Sequence, residues 1–263
     1  MTAELLPLSA IRSTGFRTIL IREYSRIVRI WGQTLVPSAV TATLYFIIFG
    51  SLIGRRVGDM NGFDYSTFLA PGLIMMSVIT NSYGNVVSSF FGAKFGKHIE
   101  ELLVSPLPNW IIVAGYVCGG LIRGMLVGLV VTVVAMIFTR LQVHHIGIIL
   151  AAVLLTSAVF SLGGLLNAVF AKNFDQINWI PAFVLTPLTY FGGVFYSVDL
   201  LPGWAQAISK VNPILHMVNA FRYGFLGTSD VSVVGAFAIM IVCVVALFAA
   251  ALNLMNRGTG IRD

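Results

Sequence analysis

The chain has 263 residues, of which 57% are apolar and 10% charged, with a net charge of +6. A soluble domain carries roughly 25% charged residues, so this chain cannot cover a water-facing surface of its size, and lipid is the expected solvent for much of it. The cations form no basic run or aromatic-basic face that would suit nucleic acid, and Cys118 and Cys243 sit in apolar runs without the spacing of a zinc site or a disulfide framework.

Residues 1–13 include Glu4, Pro7 and Arg12 with no apolar core at once behind them, so no cleavable leader is expected. Residues 16–31 read as an amphipathic helix. Phe16, Leu20, Tyr24, Ile27 and Trp31 recur at three- and four-residue steps, while Arg22, Arg26 and Arg29 fall on another face. A basic amphipathic helix beside a span is expected in the headgroup layer, alone or also touching a cytoplasmic partner.

Six stretches are apolar and long enough to cross about 30 Å of hydrocarbon. They are 34–54, 68–91, 110–138, 146–171, 178–196 and 231–255. Pro181 and Pro187 predict a kink or break in the fifth, and four or five spans follow if that stretch is only re-entrant. Lys and Arg placement sets the orientation. With the N-terminus inside, the inner segments hold Arg12, Arg17, Arg22, Arg26, Arg29, Lys94, Lys97, Lys172, Arg257 and Arg262. The outer segments hold Arg55, Arg56, Arg140, Lys210 and Arg222. The inner excess places both termini in the cytoplasm.

Between the second and third stretches, residues 99–104 predict a short helix. Glu100 and Glu101 stand at its positive end, and Pro106 and Pro108 follow it. Such a helix could serve a soluble partner or be a plain loop helix. The nearby GAKFGK at 92–97 is no phosphate loop: three residues part the glycines, and His98 follows the lysine. If ATP drives this protein, its site is on another chain. Beyond the fifth stretch, 200–226 is too apolar for a free loop and too short to span, which predicts interfacial or re-entrant helices.

Inside the third stretch, Gly120, Gly124 and Gly128, with Gly115 and Gly119, predict close helix packing. Arg123 falls about 20 Å into it. With no carboxylate well inside any stretch, its partners are expected among carbonyls, water, an anion, or amides such as Asn81, Asn85 and Asn167. Arg123 is then either a structural lock or part of a pathway. Thr80, Asn81, Ser82, Tyr83 and Asn85, and Thr186, Thr189 and Tyr190, could line a hydrated path or bond between helices.

No midplane carboxylate and no internal repeat lower the reading as a stand-alone secondary carrier. His98, His144, His145 and His216 lie near span ends and pair with no nucleophile, so no catalytic site is expected. No ring of filter residues suggests a channel. A conduit or scaffold driven by another protein remains.

The chain resembles the membrane subunit of ABC-2 type transporters, bacterial exporters whose permease and ATPase are separate polypeptides. The resemblance runs over nearly the whole length. It is carried by VPSAVTATLYFIIFG (36–50), FLAPGLIMMSVITNSYGNV (68–86), SSFFGAKFGKHIEELLVSPLP (88–108), FVLTPLTYFGGVFYSVDLLP (183–202) and NPILHMVNAFRYGFLG (212–227). The last is similar to the family signature through Pro213, Ile214, His216 and Arg222, while Phe191 stands where a smaller aliphatic residue is usual.

The resemblance implies an all-α membrane protein, a six-helix bundle in a single domain, in the bacterial inner membrane. Residues 16–31 would be the connecting helix and 200–226 the outer re-entrant helices. A coupling helix at 99–105 would meet the ATPase through Ile99, Glu100, Glu101, Leu102, Leu103 and Ser105. The resemblance also implies two permeases with two ATPases, no cofactor on this chain, ATP and Mg²⁺ on the partner, and a pathway at the permease dimer axis. Arg123, Asn81, Tyr83, Asn85, Thr186, Thr189 and Tyr190 are the pathway candidates. A sensor or assembly scaffold of the same fold is the alternative function, and a stand-alone carrier the third.

Overall fold

The computed structural model describes residues 8–260; Arg262, counted above among the inner cations, and residues 1–7 lie outside the described residues. The described residues are almost wholly helical. Helix α1 (Leu8–Arg29) leads with a short break at Ile30 into α2 (Trp31–Tyr45), which runs on through a π-helical segment (Phe46–Ile53) into the short α3 (Gly54–Val57). A two-stranded hairpin follows, β1 (Asp59–Met60) against β2 (Phe63–Asp64). Its turn is Asn61-Gly62, both at positive φ (52° and 80°), the backbone that a two-residue hairpin turn requires and that Asn and Gly accept most easily.

Asp64 caps α4 (Tyr65–Phe95) by accepting from Ser66 N at 3.1 Å. At 31 residues, α4 is about 46 Å long. A tight turn at Gly96 and left-handed Lys97 (φ 59°) then leads into α5 (His98–Val104). Helices α6 (Asn109–Phe138) and α7 (Ile146–Phe170) follow. Next come α8 (Phe174–Ile180), a second π-helical segment opened by Pro181 (Pro181–Leu185), and α9 (Thr186–Tyr190). Short α10 (Gly203–Val211) and α11 (Pro213–Leu226) precede the last long helix, α12 (Val233–Arg257).

Among the described residues, four helical stretches are long and apolar enough to cross a membrane: Trp31–Gly50, Asn109–Phe138, Ile146–Phe170 and Val233–Arg257. Helix α4 packs most extensively of all, against α6 and α7. Glycines permit this. A Cβ at Gly120 would strike Ser161 of α7 and Val86 of α4; one at Gly124 would strike Ser82 and Ser157; one at Gly128 would meet Val78. The three glycines on one face of α6 therefore seat α4 and α7 together, the close approach that small residues allow where lipid supplies no hydrophobic drive.

The other two glycines of α6 receive α1 instead. Gly115 lies under Ile19 and Gly119 under Glu23, an advance of four residues on both helices, so α1 and α6 run side by side. Of the expected apolar face of α1, Ile27 packs into the bundle. Ile19, Glu23 and Ile27 are buried, while Tyr24 and Trp31 stand 55% and 62% exposed. The glycine channel admits narrow side chains at these steps and leaves the aromatic ones outside. Further along, α2 leans on α6, with Phe46 stacked on Phe138 at 5.5 Å.

Candidate functional site

The polar face of α4 organises the site. Asn81, Asn85 and Ser88 recur at steps of four and three, with Ser89 beside them, and so point one way from the helix. Opposite them α1 delivers Glu23 and Arg26. Glu23 is 1% exposed. Its Oε2 accepts from Arg26 Nη2 at 2.9 Å and from Asn85 Nδ2 at 3.3 Å, and its Oε1 accepts from Ser89 Oγ. Arg26 also donates through Nη2 to Asn85 Oδ1 at 2.8 Å and Asn85 O at 3.1 Å, and through Nη1 to Ser88 Oγ at 3.3 Å. A buried ion pair survives only when further hydrogen bonds fill its remaining sites, and the α4 stripe fills them.

One turn along α6 from Gly119 stands Arg123. Its Nη2 donates to Asn81 Oδ1 at 3.3 Å, while Asn81 Nδ2 donates to Ser38 Oγ of α2 at 3.1 Å and to Ser77 O at 3.0 Å. Of the amides expected as partners of Arg123, Asn81 is the one that binds it. Asn85 serves Glu23 and Arg26, and Asn167 donates to Tyr83 Oη at 2.7 Å and Ile177 O at 3.0 Å.

A groove lies along α4 beside this stripe. A cavity of about 320 Å³ runs between α4 and α8–α9, lined by Tyr83, Ser88, Thr186, Thr189 and Tyr190 with Val87, Ile177 and Leu185. A second, of about 280 Å³, lies between α4 and α2 and is lined by Asn81 and Ser38. Met76 and Thr80 belong to both, so α4 is the floor, and α2 and α8–α9 are the walls. Near the hairpin end, Tyr45, Phe49, Tyr190 and Phe195 close together, with ring centroids 5.2–5.9 Å apart, around a further cavity of about 430 Å³. Tyr83, Thr186, Thr189, Tyr190 and Asn81 thus meet at the groove. Asn85 does not: it is fully buried behind it, because the next turn of α4 faces α1. The hydroxyls of Thr186 and Thr189 bond Pro181 O and Leu185 O within their own helix, at 3.0 and 2.7 Å.

At the far end of α4, α5 divides by side. Ile99 is 1% exposed, and Leu102 and Leu103 pack against the core. Glu100 and Glu101 are exposed, as is Val104, while Ser105 Oγ donates to Leu102 O at 2.6 Å. Ile99, Leu102 and Leu103 were expected at the partner's surface; their three- and four-residue spacing turns them inward to hold α5 on its own bundle. Arg22 and Arg29 are exposed. Arg26 departs from that pair because the Glu23 carboxylate draws it in. Lys94, just before the turn, donates to Val169 O at 2.6 Å and Ala171 O at 2.8 Å, a cation on the last carbonyls of α7.

The signature residues build the hairpin end. Pro213 opens α11 beneath the Asn212 cap, and His216 Nε2 lies 2.9 Å from Lys210 O. Arg222 is fully buried. Its Nη2 donates to Gly193 O at 2.7 Å, its guanidinium lies 3.9 Å above the Phe68 ring, and Asp230 sits 4.0 Å away. Glu23 and this Arg222 anchor are what sequence reasoning missed. The signal for Glu23 was a lone acid among the basic residues of α1.

Residues 14–226 match the family description of the ABC-2 type transporter. The chain belongs to the ABC-2 type transporter family. It is 56% identical over 249 residues to the inner membrane transport permease YadH of Escherichia coli strain K12, a match spanning 95% of this chain and 97% of that one. It is 25% identical over 227 residues to Nodulation protein J of Rhizobium leguminosarum bv. viciae, spanning 85% and 87%. The groove, α5 and the charge cluster on α1 are therefore features of an ABC-2 transport permease.

Proposed function

We propose that this permease is the membrane half of an ATP-driven exporter in the bacterial inner membrane. Hydrolysis falls to a separate ATPase that holds ATP and Mg²⁺, in an assembly of two permeases and two ATPases. The observation that carries the reading is the groove itself. It has a floor on α4 and walls on α2 and α8–α9, and a second surface is needed to close it. A two-fold copy of the same groove supplies that surface and encloses a path. Six passages, 34–54, 68–91, 110–138, 146–171, 178–196 and 231–255, cross the lipid. The α5 end faces the cytoplasm, with Lys94, Lys97, Lys172 and Arg257 there, and both termini lie inside. Helices α10 and α11 are the re-entrant elements of the outer face.

In this reading the exposed Glu100 and Glu101 of α5 are the contact with the ATPase, and α1 is the connecting helix. Closure of the ATPase dimer moves α5, and the two bundles rock between inward and outward access. ATP makes no contact with this chain. A stand-alone carrier would use a buried carboxylate such as Glu23. That carboxylate is saturated by Arg26, Asn85 and Ser89, which suits a lock better than a proton relay.

The test is co-elution of the permease with its ATPase in detergent, and ATP hydrolysis, for the wild type beside a Glu100→Arg, Glu101→Arg variant. Association that the charge reversal abolishes in a folded permease supports the reading. If no ATPase binds, or the reversal changes nothing, the coupling assignment fails. ATP-independent movement in vesicles would then favour the carrier, and ATPase binding without any movement would favour a sensor or scaffold.

A further inference from the structure

A cavity of about 290 Å³ lies at the hairpin end and shares no lining residue with the groove. Three parts of the chain meet there. Phe63 of β2 and Thr67 of the first turn of α4 form one side, and Arg140, Gln142 and His144 of the α6–α7 loop form another, with Phe225 closing it from α11. The loop is held in place. His144 N and His145 N both donate to Gly224 O, at 3.0 and 2.8 Å, and the His145 ring stacks on Tyr223 at 5.8 Å. The His144 ring lies against Gly227, where a Cβ would come within 3.2 Å of it. The loop backbone is therefore fixed before any ligand arrives, which lowers the ordering cost of binding.

The polar side chains lining this cavity can all donate: the Arg140 guanidinium, the Gln142 amide, the His144 imidazole and the Thr67 hydroxyl. No carboxylate lines it. Asp64, beside Phe63 in the chain, is engaged as the α4 cap through Ser66 N. Among the described residues Arg140 has no carboxylate within salt-bridge distance. One permanent cation among neutral donors, with no acid, selects an oxyanion that offers several acceptor oxygens. The planar guanidinium fork fits two oxygens of a phosphate.

Arg140 stands two residues past the end of α6, where an apolar helix leaves the hydrocarbon and lipid phosphates lie. Leu129, Val133, Met136 and Ile137 are exposed along the part of α6 that leads to it. We propose that this cavity binds a phosphate group, set against Arg140, Gln142, His144 and Thr67. The group comes from a phospholipid whose chains lie along the exposed end of α6, or from free phosphate. The volume is at the lower edge for a small-molecule site, which admits a headgroup and leaves acyl chains outside. A bound phosphate would tie the α6–α7 loop to the start of α4. The site is independent of the exporter reading; only the leaflet that supplies the lipid follows from it.

The test titrates the full-length permease, in an uncharged detergent at constant ionic strength, with dihexanoylphosphatidylglycerol, with dihexanoylglycerol and with inorganic phosphate. Binding is read as a saturable rise in the unfolding midpoint. A phosphate-bearing probe is expected to saturate the wild type, and dihexanoylglycerol, which lacks the phosphate, is not. Arg140→Gln should raise the apparent Kd about tenfold, as loss of one charge-assisted hydrogen bond predicts. Arg56→Gln removes the same net charge at an exposed position of α3 that does not line the cavity, and should leave Kd unchanged. Should Arg140→Gln fail to fold, Gln142→Ala, also at an exposed position, takes its place with a loss of about threefold. Saturation by the lipid alone gives the site to a phospholipid, and displacement of the lipid by inorganic phosphate makes free phosphate a source as well. The proposal is overturned if neither phosphate-bearing probe saturates, or if dihexanoylglycerol does as well as the phospholipid. Equal losses in Arg140→Gln and Arg56→Gln also overturn it, because surface charge alone would then be at work. No ATPase or ATP enters this titration, so this inference and the exporter reading fail separately.

Discussion

Replacing Glu23 by alanine removes the acceptor for three donors at once. Ser89 Oγ and Asn85 Nδ2, both buried, lose a partner, and Arg26 loses its counter-charge. Removing one member of a buried pair costs about 3–5 kcal/mol. Arg26 is 27% exposed and keeps Asn85 O, Asn85 Oδ1 and Ser88, so partial solvation holds the cost near the lower limit, about 3 kcal/mol. For a chain of this size that corresponds to a fall of about 6–12 °C in the unfolding midpoint. Glu23→Gln keeps one oxygen, for Arg26 and Asn85, and turns its NH₂ toward the Ser89 hydroxyl, which can accept; it should cost about 1 kcal/mol. The assay is thermal unfolding in detergent, with Glu23→Ala combined with Ser89→Ala as the control for coupling; the double variant should fall short of the sum of the singles. An alanine variant within 1 °C of the wild type, or strict additivity with Ser89→Ala, would show that the network holds nothing together.

Gly124→Leu drives a side chain into Ser82 and Ser157 and should part α6 from α4 and α7; loss of monodisperse protein on size exclusion is the expected readout, with Gly147→Leu, where a Cβ meets nothing within 4 Å, as a silent control. Arg222→Ala leaves Asp230, 4% exposed, without its cation and should cost about 3–5 kcal/mol, while Arg222→Lys keeps the charge and recovers part of the loss; midpoints of the two variants check this. Lys97→Gly relieves a left-handed residue at the α4–α5 turn and should raise the midpoint slightly, by about 1 kcal/mol of stability.

Much of the bundle could be read from the sequence because lipid imposes length and hydropathy together, and the long helices fall close to the apolar stretches. The roles of the glycines of α6 were also legible, since four-residue spacing of small residues has few other uses in an apolar helix. What escaped was tertiary. The period puts Phe16, Leu20, Tyr24, Ile27 and Trp31 on one face of α1, but Gly115 and Gly119 receive Ile19 and Glu23, and nothing within α1 reports what faces it. Asn85 and Asn81 look alike in the sequence, yet one turn of helix sends the first to α1 and leaves the second at the groove. Asn61-Gly62 was a visible hairpin turn, passed over because two-residue strands carry no periodicity.

The π-helical segments have a mechanical consequence. Phe46–Ile53 continues the α2 wall, and Pro181–Leu185 interrupts the α8–α9 wall, where Thr186 Oγ1 bonds back to Pro181 O. A π turn holds more residues than an α turn. Moving that surplus along a wall changes which side chains face the groove while the helix ends stay where they are. The floor has no such slack, since α4 is seated in α6 and α7 by the glycines. A cargo could therefore meet changing sides on a fixed base, and deleting one residue from 46–53 should freeze transport without unseating the bundle.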